Sequence, residues 1–482
     1  MARAGRRSRR GGRIRWGAVG ALLVGTFTGT LVNAIVNVPV RTIATSFRVP
    51  VATATLVVVA FNLSFAVLMP LGGWLGDRLG RRRLYCWAVG TLAVGSIGAM
   101  LAPSIGVLVA CRVVQGAGTA AVLPAVMGLL GELHSREQAG VVLGLWAGVN
   151  GLGRALGAPL GGAIVAGGSW RLIFVPAVPL AAIAVLGALR AVPRSVPSGR
   201  PLEWRGALLL TAGCGMLLGA VTAVPGAGAA SAVVVGLAVA GVGALVGFVR
   251  VSRRAAAPFI DPGLLREPSY VRSSLAAFAQ MFCVASGLLA VPLVLTGGGD
   301  AVAAAGLVVF ALPAAMTAFG PVAGWSVRRV GARRSLRLGA AVLVATQVLL
   351  LVLFAGHRAP VGLVVGVLAL EGIGAAFVQT PTAVGATRSA AGRVGSGLGL
   401  FNLVRFAGAS LGSAWVAIAV GGHVADYRSI FVAGAVVAGA GLVGTWAGPD
   451  PAGRLAAAAT AAADAPGAAR PPASGAHSEL PG

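Results

Sequence analysis

Residues 73–83 read GWLGDRLGRRR, and residues 324–334 read GWSVRRVGARR. The two stretches share six residues at an offset of 251 positions (324 − 73). Residues 154–161 and 405–412 match at the same offset, sharing an arginine, two glycines, an alanine and a leucine. Because two separated matches have one offset, we predict that the chain contains two homologous halves with the same topology.

The composition places both halves in a membrane. Of the 482 residues, 57% are apolar, only 10% are charged and 74 are glycine. A soluble domain has about 25% charged residues, and with this composition it would expose very large apolar areas. Fourteen apolar spans of helix-crossing length follow one another along the chain. The predicted fold is an all-α polytopic membrane protein with fourteen transmembrane helices, the first at residues 17–40.

The repeat divides the chain into five predicted segments. Spans one to six form an N-terminal six-helix bundle at residues 17–192, and spans nine to fourteen form a C-terminal six-helix bundle with its preceding loop at residues 253–448. Spans seven and eight form an inserted two-helix hairpin, which lies with a cytoplasmic linker at residues 193–252. A basic cytoplasmic N-terminus, residues 1–16, precedes the bundles. A tail rich in Ala, Pro and Gly, residues 449–482, follows them and is predicted to be disordered.

The charge predicts the orientation of the helices. All 38 basic residues are arginines, and the formal net charge is +26. With the N-terminus inside, 30 arginines fall on the cytoplasmic side, five fall outside and three lie within spans. This bias follows the positive-inside rule, so both termini are predicted to be cytoplasmic. The arginines lie in short turns without interleaved aromatic residues, which argues against nucleic acid as a partner.

The sequence indicates neither a metal site nor enzyme chemistry. The four cysteines lie inside apolar runs without paired spacing, and the four histidines lie in loops or in the tail. We find no paired carboxylates, no nucleophile with a base and no phosphate-binding loop in the sequence. We therefore expect no metal, no cofactor and no catalytic residue.

Three motifs carry a resemblance to a known family. The loop after span two matches G-x-x-x-D-R-x-G-R-R, and span four matches R-x-x-Q-G at residues 112–116. Span five matches G-P-x-x-G-G imperfectly at residues 157–162, because the proline is one place late at Pro159. The loop motif consists of Gly73, Asp77, Arg78, Gly80, Arg81 and Arg82. On these residues the chain resembles the major facilitator superfamily, and within it the fourteen-helix drug:proton antiporters.

This resemblance implies the major facilitator fold and alternating access, in which two six-helix bundles rock against each other. It implies a secondary active transporter of the plasma membrane, a proton-coupled exporter of a small amphipathic organic compound such as a drug or an antibiotic. The expected partners are this substrate, protons and the lipid bilayer, and we expect a monomer. An uncoupled facilitator or importer of the same fold is the alternative, and a non-transporting membrane scaffold is a more distant one.

Span one departs from the family pattern. Val32 occupies the acidic position of the family's D-x-T-I-V-N-V motif, and Ala34 occupies its threonine position. The family's proton coupling and preference for cationic drugs therefore do not carry over through that residue. With one acid and up to three arginines inside the spans, we predict a neutral or weakly anionic substrate.

The loop at residues 73–83 has two interpretations. Glycines permit a tight turn at positive φ, and the arginines place the loop at the lipid headgroups. In the resembling family the aspartate, here Asp77, interacts with the start of a helix in the opposite half, here span thirteen, and closes the cytoplasmic side. A helix dipole favours an anion at that position. Alternatively, the loop is only a basic turn that orients the helices.

Span one also carries a polar stripe. Thr26, Thr30, Asn33 and Asn37 follow one another at spacings of four, three and four residues. On a continuous helix these spacings place all four side chains on one face. The stripe either lines a water-filled cavity or hydrogen-bonds a neighbouring helix.

Four charged residues lie within spans, where each costs roughly 2.5 to 3.5 kcal/mol on insertion scales. Glu371, in span twelve, either exchanges a proton during transport or pairs permanently with an arginine. A weaker repeat, with an offset of 256 (371 − 115), aligns it with Gln115, which we count with Glu371 and Arg112 among the candidates for proton coupling. Arg112 resembles the family's proton-pathway arginine, but it could equally cap carbonyl groups or pair with Glu371. We interpret Arg154 and Arg405 as structural.

Span five is rich in glycine. It contains Gly153, Gly157, Gly161 and Gly162 together with Pro159. Glycines at these spacings allow close packing and hinging of helices. We predict a packing and hinge role for this span.

Overall fold

The structure, a computed structural model, describes most of the chain. The described residues are 14–133, 136–194, 203–228, 231–255, 260, 263, 266–297, 302–354, 360–388, 394–421 and 427–446. Most of the predicted basic N-terminus and the whole predicted disordered tail lie outside these residues.

The described part of the N-terminal half is all-helical. Its six long helices are α1 (Trp16–Ala34), α3 (Val51–Leu79), α4 (Arg81–Met100), α5 (Ile105–Leu133), α6 (Arg136–Ala166) and α7 (Ala177–Ala191). A short helix, α2 (Val40–Phe47), follows α1, and a 3-10 turn (Trp170–Phe174) precedes α7.

The inserted hairpin and the C-terminal half contribute eight more long helices. The hairpin consists of α8 (Trp204–Ala227) and α9 (Ala232–Arg254). The C-terminal bundle consists of α10 (Pro268–Gly297), α11 (Val302–Arg329), α12 (Ala332–Leu353), α13 (Val361–Arg388), α14 (Val394–Gly421) and α15 (Tyr427–Gly444). The described chain therefore has fourteen long helices, arranged as two six-helix bundles and a hairpin, as the repeat predicted.

These helices are built for a lipid environment. Twelve of them are long and apolar enough to cross a membrane by length and composition; α4 and α6 are the other two long helices. Large apolar side chains cover the outer surface, and Val239, Val436 and Val443 are each more than half exposed. Exposed apolar surface on this scale indicates contact with lipid. The chain is a multi-pass membrane protein.

Glycine separates consecutive helices at equivalent places in the two halves. Gly80 has φ 85° between α3 and α4, and Gly331 has φ 88° between α11 and α12. Side chains with a Cβ rarely adopt this region, whereas glycine enters it without steric cost. In each half the chain therefore turns sharply within the repeated loop at residues 73–83 or 324–334.

The first helix is shorter than the sequence predicted. It ends at Ala34 instead of continuing to residue 40, and Asn37 lies in the following turn. Pro39 precedes α2, and proline lacks the N–H that a continuing helix requires. The prediction that Asn37 shares a helical face with the other polar residues of span one is therefore wrong.

Two helix pairs join the bundles. Helix α3 packs on α14, and α6 packs on α11. The hairpin lies beside the first of these seams, because α8 contacts both α3 and α14. We call the end with the Gly80 and Gly331 turns the arginine-rich face, and the opposite end, with α2, the arginine-poor face.

Candidate transport site

Direct side-chain contacts between the two bundles lie on the α3–α14 seam. Asn62 Nδ2 donates to Ser413 Oγ at 3.2 Å, across the bundles. The rings of Phe65 and Phe406 meet edge-to-face, with their centroids 4.5 Å apart. A buried apolar cluster surrounds this contact and takes residues from both bundles, among them Val32, Phe61, Met69 and Met281. The interface therefore has an aromatic and apolar wall.

The bundles meet closely at the arginine-poor face. Arg41 Nη2 donates to the carbonyl oxygen of Leu293 at 3.2 Å. On the α6–α11 seam, a Cβ added at Gly162 would lie 2.8 Å from the carbonyl oxygen of Val302. A Cβ added at Gly306 would lie 2.6 Å from a backbone oxygen of α6. Neither glycine has room for a side chain, so the two helices pack closely and leave no passage at that point.

Arg112 lies fully buried in the N-terminal bundle. Its Nε donates to the carbonyl oxygen of Val57 at 3.0 Å, and its Nη1 donates to that of Val32 at 3.0 Å. The same Nη1 donates to Gln115 Oε1 at 2.8 Å. The guanidinium carbon also lies 4.4 Å from the ring centroid of Phe61. The carbonyl-capping alternative for Arg112 is thus the one present, and the proposed pairing with Glu371 is not.

Glu371 lies fully buried inside the C-terminal bundle. Its Oε1 accepts a hydrogen bond from Gln347 Nε2 of α12 at 3.0 Å. Helix α10 approaches at Gly287, where an added Cβ would lie 3.5 Å from Oε2. Among the described residues Oε2 has no hydrogen-bond partner, and no described arginine is paired with this carboxylate. The alternative of a permanent glutamate–arginine pair is therefore wrong within the described chain.

The two polar sites occupy equivalent positions. Gln115 and Glu371 are aligned by the offset of 256, while Ser96 and Gln347 are aligned by the offset of 251 (347 − 96). Gln115 Nε2 donates to Ser96 Oγ at 2.8 Å, joining α5 to α4. Glu371 and Gln347 join α13 to α12 in the same way. The weaker repeat seen in the sequence is thus a structural equivalence.

The neighbouring glycines repeat the same packing. An added Cβ at Gly116 would collide with the carbonyl oxygen of Phe61 in α3. An added Cβ at Gly372 would collide with that of Leu312 in α11. Phe61 and Leu312 are themselves separated by the offset of 251 (312 − 61). Both halves therefore use glycine to bring the helix that carries the polar site against its neighbour.

Arg154 and Arg405 occupy equivalent positions in α6 and α14, and both are half-buried. Arg405 Nη2 donates to Gln379 Oε1 of α13 at 2.8 Å. Its guanidinium carbon lies 5.3 Å from the ring centroid of Phe406. The two arginines interact electrostatically, and like charges repel each other. The repeat in the sequence already aligned these two residues, and the structure adds that they interact with each other.

The comparisons with known proteins agree with this architecture. The model of the Major Facilitator Superfamily matches residues 20–413. The chain belongs to the Major Facilitator Superfamily.

Named relatives within this superfamily include drug exporters. Multidrug resistance protein Stp of Mycobacterium tuberculosis is 33% identical over 398 residues, which cover 81% of this chain and 73% of Stp. Drug efflux pump JefA of the same organism is 30% identical and covers 84% of this chain and 81% of JefA. A crystal structure of a POT family transporter in complex with 5-aminolevulinic acid shares the fold, with a TM-score of 0.64 and 14% identity over 89% of this chain and 94% of that one.

The superfamily loop motif positions its arginines on three different partners. Arg82 Nη2 donates to the carbonyl oxygen of Leu189 at 2.6 Å, near the end of α7. Arg81 packs against α5. Arg78 lies over the Trp74 ring, 5.4 Å from its centroid. The loop therefore does more than mark the orientation of the chain.

The equivalent loop of the C-terminal half makes the same capping contact. Arg333 Nε donates to the carbonyl oxygen of Thr445 at 3.0 Å, and its Nη2 donates to that of Trp446 at 2.7 Å. Arg82 and Arg333 thus each bind the C-terminal end of the last helix in their own half, where a helix dipole favours a cation. The sequence analysis missed this role, although the repeat pairs the two arginines.

The latch assigned to Asp77 stays a prediction. The backbone places Asp77 in the last turn of α3, but its side chain lies outside the described atoms. The side chains of residues 394–398, where the opposing helix α14 begins, lie outside them as well. Gly73, at the start of the motif, has open space around its Cβ position.

The polar residues of α1 have their partners within the protein. Thr26 and Thr30 each donate to a carbonyl oxygen one turn earlier in α1, at 3.1 Å. Asn33 Nδ2 donates to Asn62 Oδ1 of α3 at 3.0 Å. Asn62 in turn reaches Ser413, so a chain of amide and hydroxyl groups runs from α1 across the seam. For Asn33, the structure shows the hydrogen bond to a neighbouring helix.

The glycine-rich helix α6 packs closely on both neighbours. Gly153, Gly157 and Gly161 lie against α1, where an added Cβ would collide with its backbone or side chains. Gly162 lies against the backbone of α11. Pro159 lies inside α6 without ending it. These contacts account for the glycines by packing, and the hinge role stays a prediction.

A further repeat was missed in the sequence. WRLIF at residues 170–174 corresponds to YRSIF at residues 427–431, with an offset of 257 (427 − 170). Phe174 and Phe431, which end the two stretches, are both fully buried. Arg171 Nη2 donates to the carbonyl oxygen of Ala102 at 3.1 Å, at the arginine-poor end of α4. Comparing the loops before the last helix of each half would have revealed this match.

A metal site is not evident in the described part of the chain. No group of three or more His, Cys, Asp or Glu residues there could hold a metal ion. The four cysteines are free thiols.

Proposed function

We propose that this chain is a proton-coupled exporter of small amphipathic organic molecules that works by alternating access. The observation that carries the proposal is Glu371, a fully buried carboxylate with one oxygen unpartnered among the described residues. Acidic groups within membrane spans are rare and are used in proton relays of transporters. The names of Stp and JefA support drug-like molecules as the substrate class.

In this proposal, the distribution of charge decides which end of the molecule faces the cytoplasm. We take the arginine-rich face as cytoplasmic, because basic loops are retained on that side. The tight seam at the arginine-poor face then corresponds to a state closed toward the outside. A substrate would enter this state from the cytoplasm.

Glu371 would exchange its proton inside the C-terminal bundle. The groups that face it are Gln347 of α12 and, on α10, Gly287 and the thiol of Cys283. Among the described neighbours no cation neutralises the carboxylate, so its charged form is held by the Gln347 hydrogen bond alone. A change in helix packing that admits water at Oε2 would favour release of the proton.

Purified protein in proteoliposomes with an imposed pH gradient tests this role. Glu371→Gln preserves the shape of the side chain but cannot carry a proton on and off. We expect it to lower gradient-driven transport of naphthoate and naphthamide probes by about 100-fold, the usual scale for loss of an acid–base group. Exchange of the same probes at equal pH on both sides should persist, because exchange needs no net proton movement.

Glu267→Gln is the matched control, since this glutamate directly precedes α10 and lies outside the apolar span. This variant should leave both the gradient-driven transport and the exchange at equal pH unchanged. If Glu371→Gln keeps full gradient-driven transport, coupling through this residue is wrong. If the wild-type protein moves probes only down their own gradients, the protein is an uncoupled facilitator.

A further inference from the structure

Arg154 and Arg405 are two neighbouring like charges, and the proposed transport mechanism gives them no role. Two like charges in a membrane interior are costly, because the low dielectric strengthens their repulsion. Neither guanidinium is paired with a carboxylate among the described residues. In addition, Arg405 Nε is buried and has no hydrogen-bond partner there. Packing alone leaves this arrangement unexplained.

The helix faces show where Arg154 projects. Gly153 of α6 contacts α1, and Gly162 contacts α11. At about 100° per residue, Arg154 lies between these two contact faces. Leu152 and Leu160 are exposed on the opposite, outer face. Arg154 therefore lies on the face of α6 that looks into the space between the bundles.

The same argument places Arg405. Gly408 of α14 contacts α10, and Phe406 contacts Phe65 of α3. Arg405 lies between these two faces. Leu403, on the far side of α14, belongs to a cluster with residues of the hairpin. Equivalent arginines from opposite halves thus face the same central space.

The lining next to the pair is aromatic and apolar. Phe65, Phe406 and Met281 belong to the buried cluster between the bundles. Gln379, on the side of α13 that meets Arg405, adds an amide. Glu371 lies on α13 as well, but eight residues away, which is about 12 Å along the helix, and its carboxylate is bound by Gln347. The known membrane acid is thus not the counter-ion of the pair.

We infer that Arg154 and Arg405 form a two-sided binding site for the anionic group of an aromatic organic anion, held with its ring against the phenylalanines. The inference rests on the proposed transport function and narrows its substrate class. Guanidinium groups are suited to this task, because their planar donors match a carboxylate or sulfonate. An anion bound between the bundles would also remove the repulsion between the two arginines.

Three naphthalene probes of similar size and different charge test the inference: 2-naphthoate, 2-naphthamide and 2-naphthylmethylammonium. Thermal stabilisation of the purified full-length protein reports binding, and proteoliposomes under a pH gradient report transport. For the wild-type protein we expect naphthoate to bind at least tenfold more tightly than either other probe. Arg154→Gln and Arg405→Gln should each weaken naphthoate binding at least tenfold, while Arg405→Lys should retain most of the preference for the anion.

Arg205→Gln, which removes an exposed arginine at the start of α8, is the matched control and should leave the preference intact. Equal binding of the three probes, binding of none of them, or preference for the cation would overturn the inference. So would a preference for naphthoate that survives in both glutamine variants. Charge-selective binding without gradient-driven transport would instead contradict the proposed function, so the two failures are distinguishable.

Discussion

The N-terminal and C-terminal bundles contain equivalent side-chain hydrogen bonds between two helices, but the charged residue at this site is an arginine in one bundle and a glutamate in the other. In the first, Gln115 binds Ser96 and Arg112 lies one turn away. In the second, Glu371 binds Gln347, and Leu368 occupies the position equivalent to Arg112 (368 − 112 = 256). The same helix packing therefore contains a buried cation in the N-terminal half and a buried acid in the C-terminal half.

The difference lies in how each charge is satisfied. The Arg112 guanidinium donates hydrogen bonds to two backbone carbonyls and an amide oxygen, and it also contacts an aromatic ring. Glu371 has one hydrogen bond and, among its described neighbours, one free oxygen. A charge bound on several sides is fixed in place, whereas a half-satisfied carboxylate can gain or lose a proton at little structural cost. The comparison therefore supports a stabilising role for the first site and the proposed coupling role for the second.

Arg112→Gln should give the largest loss of stability. It removes charged hydrogen bonds to the carbonyls of Val57 and Val32, which contribute about 1.5 to 3 kcal/mol each, and we expect a loss of roughly 3 kcal/mol. Glu371→Gln keeps an acceptor for Gln347 and should cost under about 1 kcal/mol. Denaturation of the purified proteins by SDS titration measures both. Equal losses in the two variants would contradict the division of roles.

The interface glycines should respond alike in the two halves. Gly116→Ala and Gly372→Ala each place a Cβ against a backbone carbonyl of the neighbouring helix, and each should cost about 2 kcal/mol by overpacking. Gly366→Ala is the control on α13, because its Cβ position is open. It should raise stability by up to about 1 kcal/mol. A large loss in only one half would show that the packing is not equivalent.

The loops at the arginine-rich face should differ in function. Asp77 of the first loop aligns with Arg328 of the second (328 − 77 = 251), so only the first can place an anion at a helix N-terminus. We expect Asp77→Asn to lower the initial transport rate in everted vesicles about tenfold, since a helix dipole favours an anion by up to about 2 kcal/mol. Arg328→Gln should change the rate little. An unchanged rate in Asp77→Asn would overturn the latch role of Asp77.

The smallest effects should come from the arginines that cap the last helices. Arg82→Gln and Arg333→Gln each remove a cation from a helix C-terminus, and each should cost about 0.5 to 1 kcal/mol. The thermal midpoint of the purified protein in detergent measures the loss. Because the contact is repeated, the two variants should match, and a loss confined to one would break the symmetry of the loops.

The architecture was largely readable from the sequence. Apolar length gave the number of spans, and the repeat at residues 73–83 and 324–334 gave the division into halves. Both signals are local in sequence and follow from elementary constraints: a helix must span the bilayer, and a tight turn at Gly80 or Gly331 requires glycine. The resemblance to the superfamily rested in part on the first of these loops, and membership is now shown.

The arrangement of the charged residues was not readable. Glu371 and Gln379 lie on one helix, but the first faces the interior of its bundle and the second faces Arg405. The side of a helix that meets a given neighbour depends on packing between segments that are distant in sequence. These helices are apolar on all sides, so their sequence pattern does not indicate which side faces which neighbour. Asn37 was misplaced for a simpler reason, because the effect of Pro39 on the end of α1 was overlooked.

The position of the hairpin affects the route by which a lipophilic molecule reaches the protein. Helix α8 covers the α3–α14 seam from the outside, whereas no other described helix packs over the α6–α11 seam. A compound dissolved in the acyl chains therefore meets the hairpin on one side of the molecule and the α6–α11 seam itself on the other. The extra pair of helices therefore makes a nearly symmetric transporter one-sided with respect to lipid.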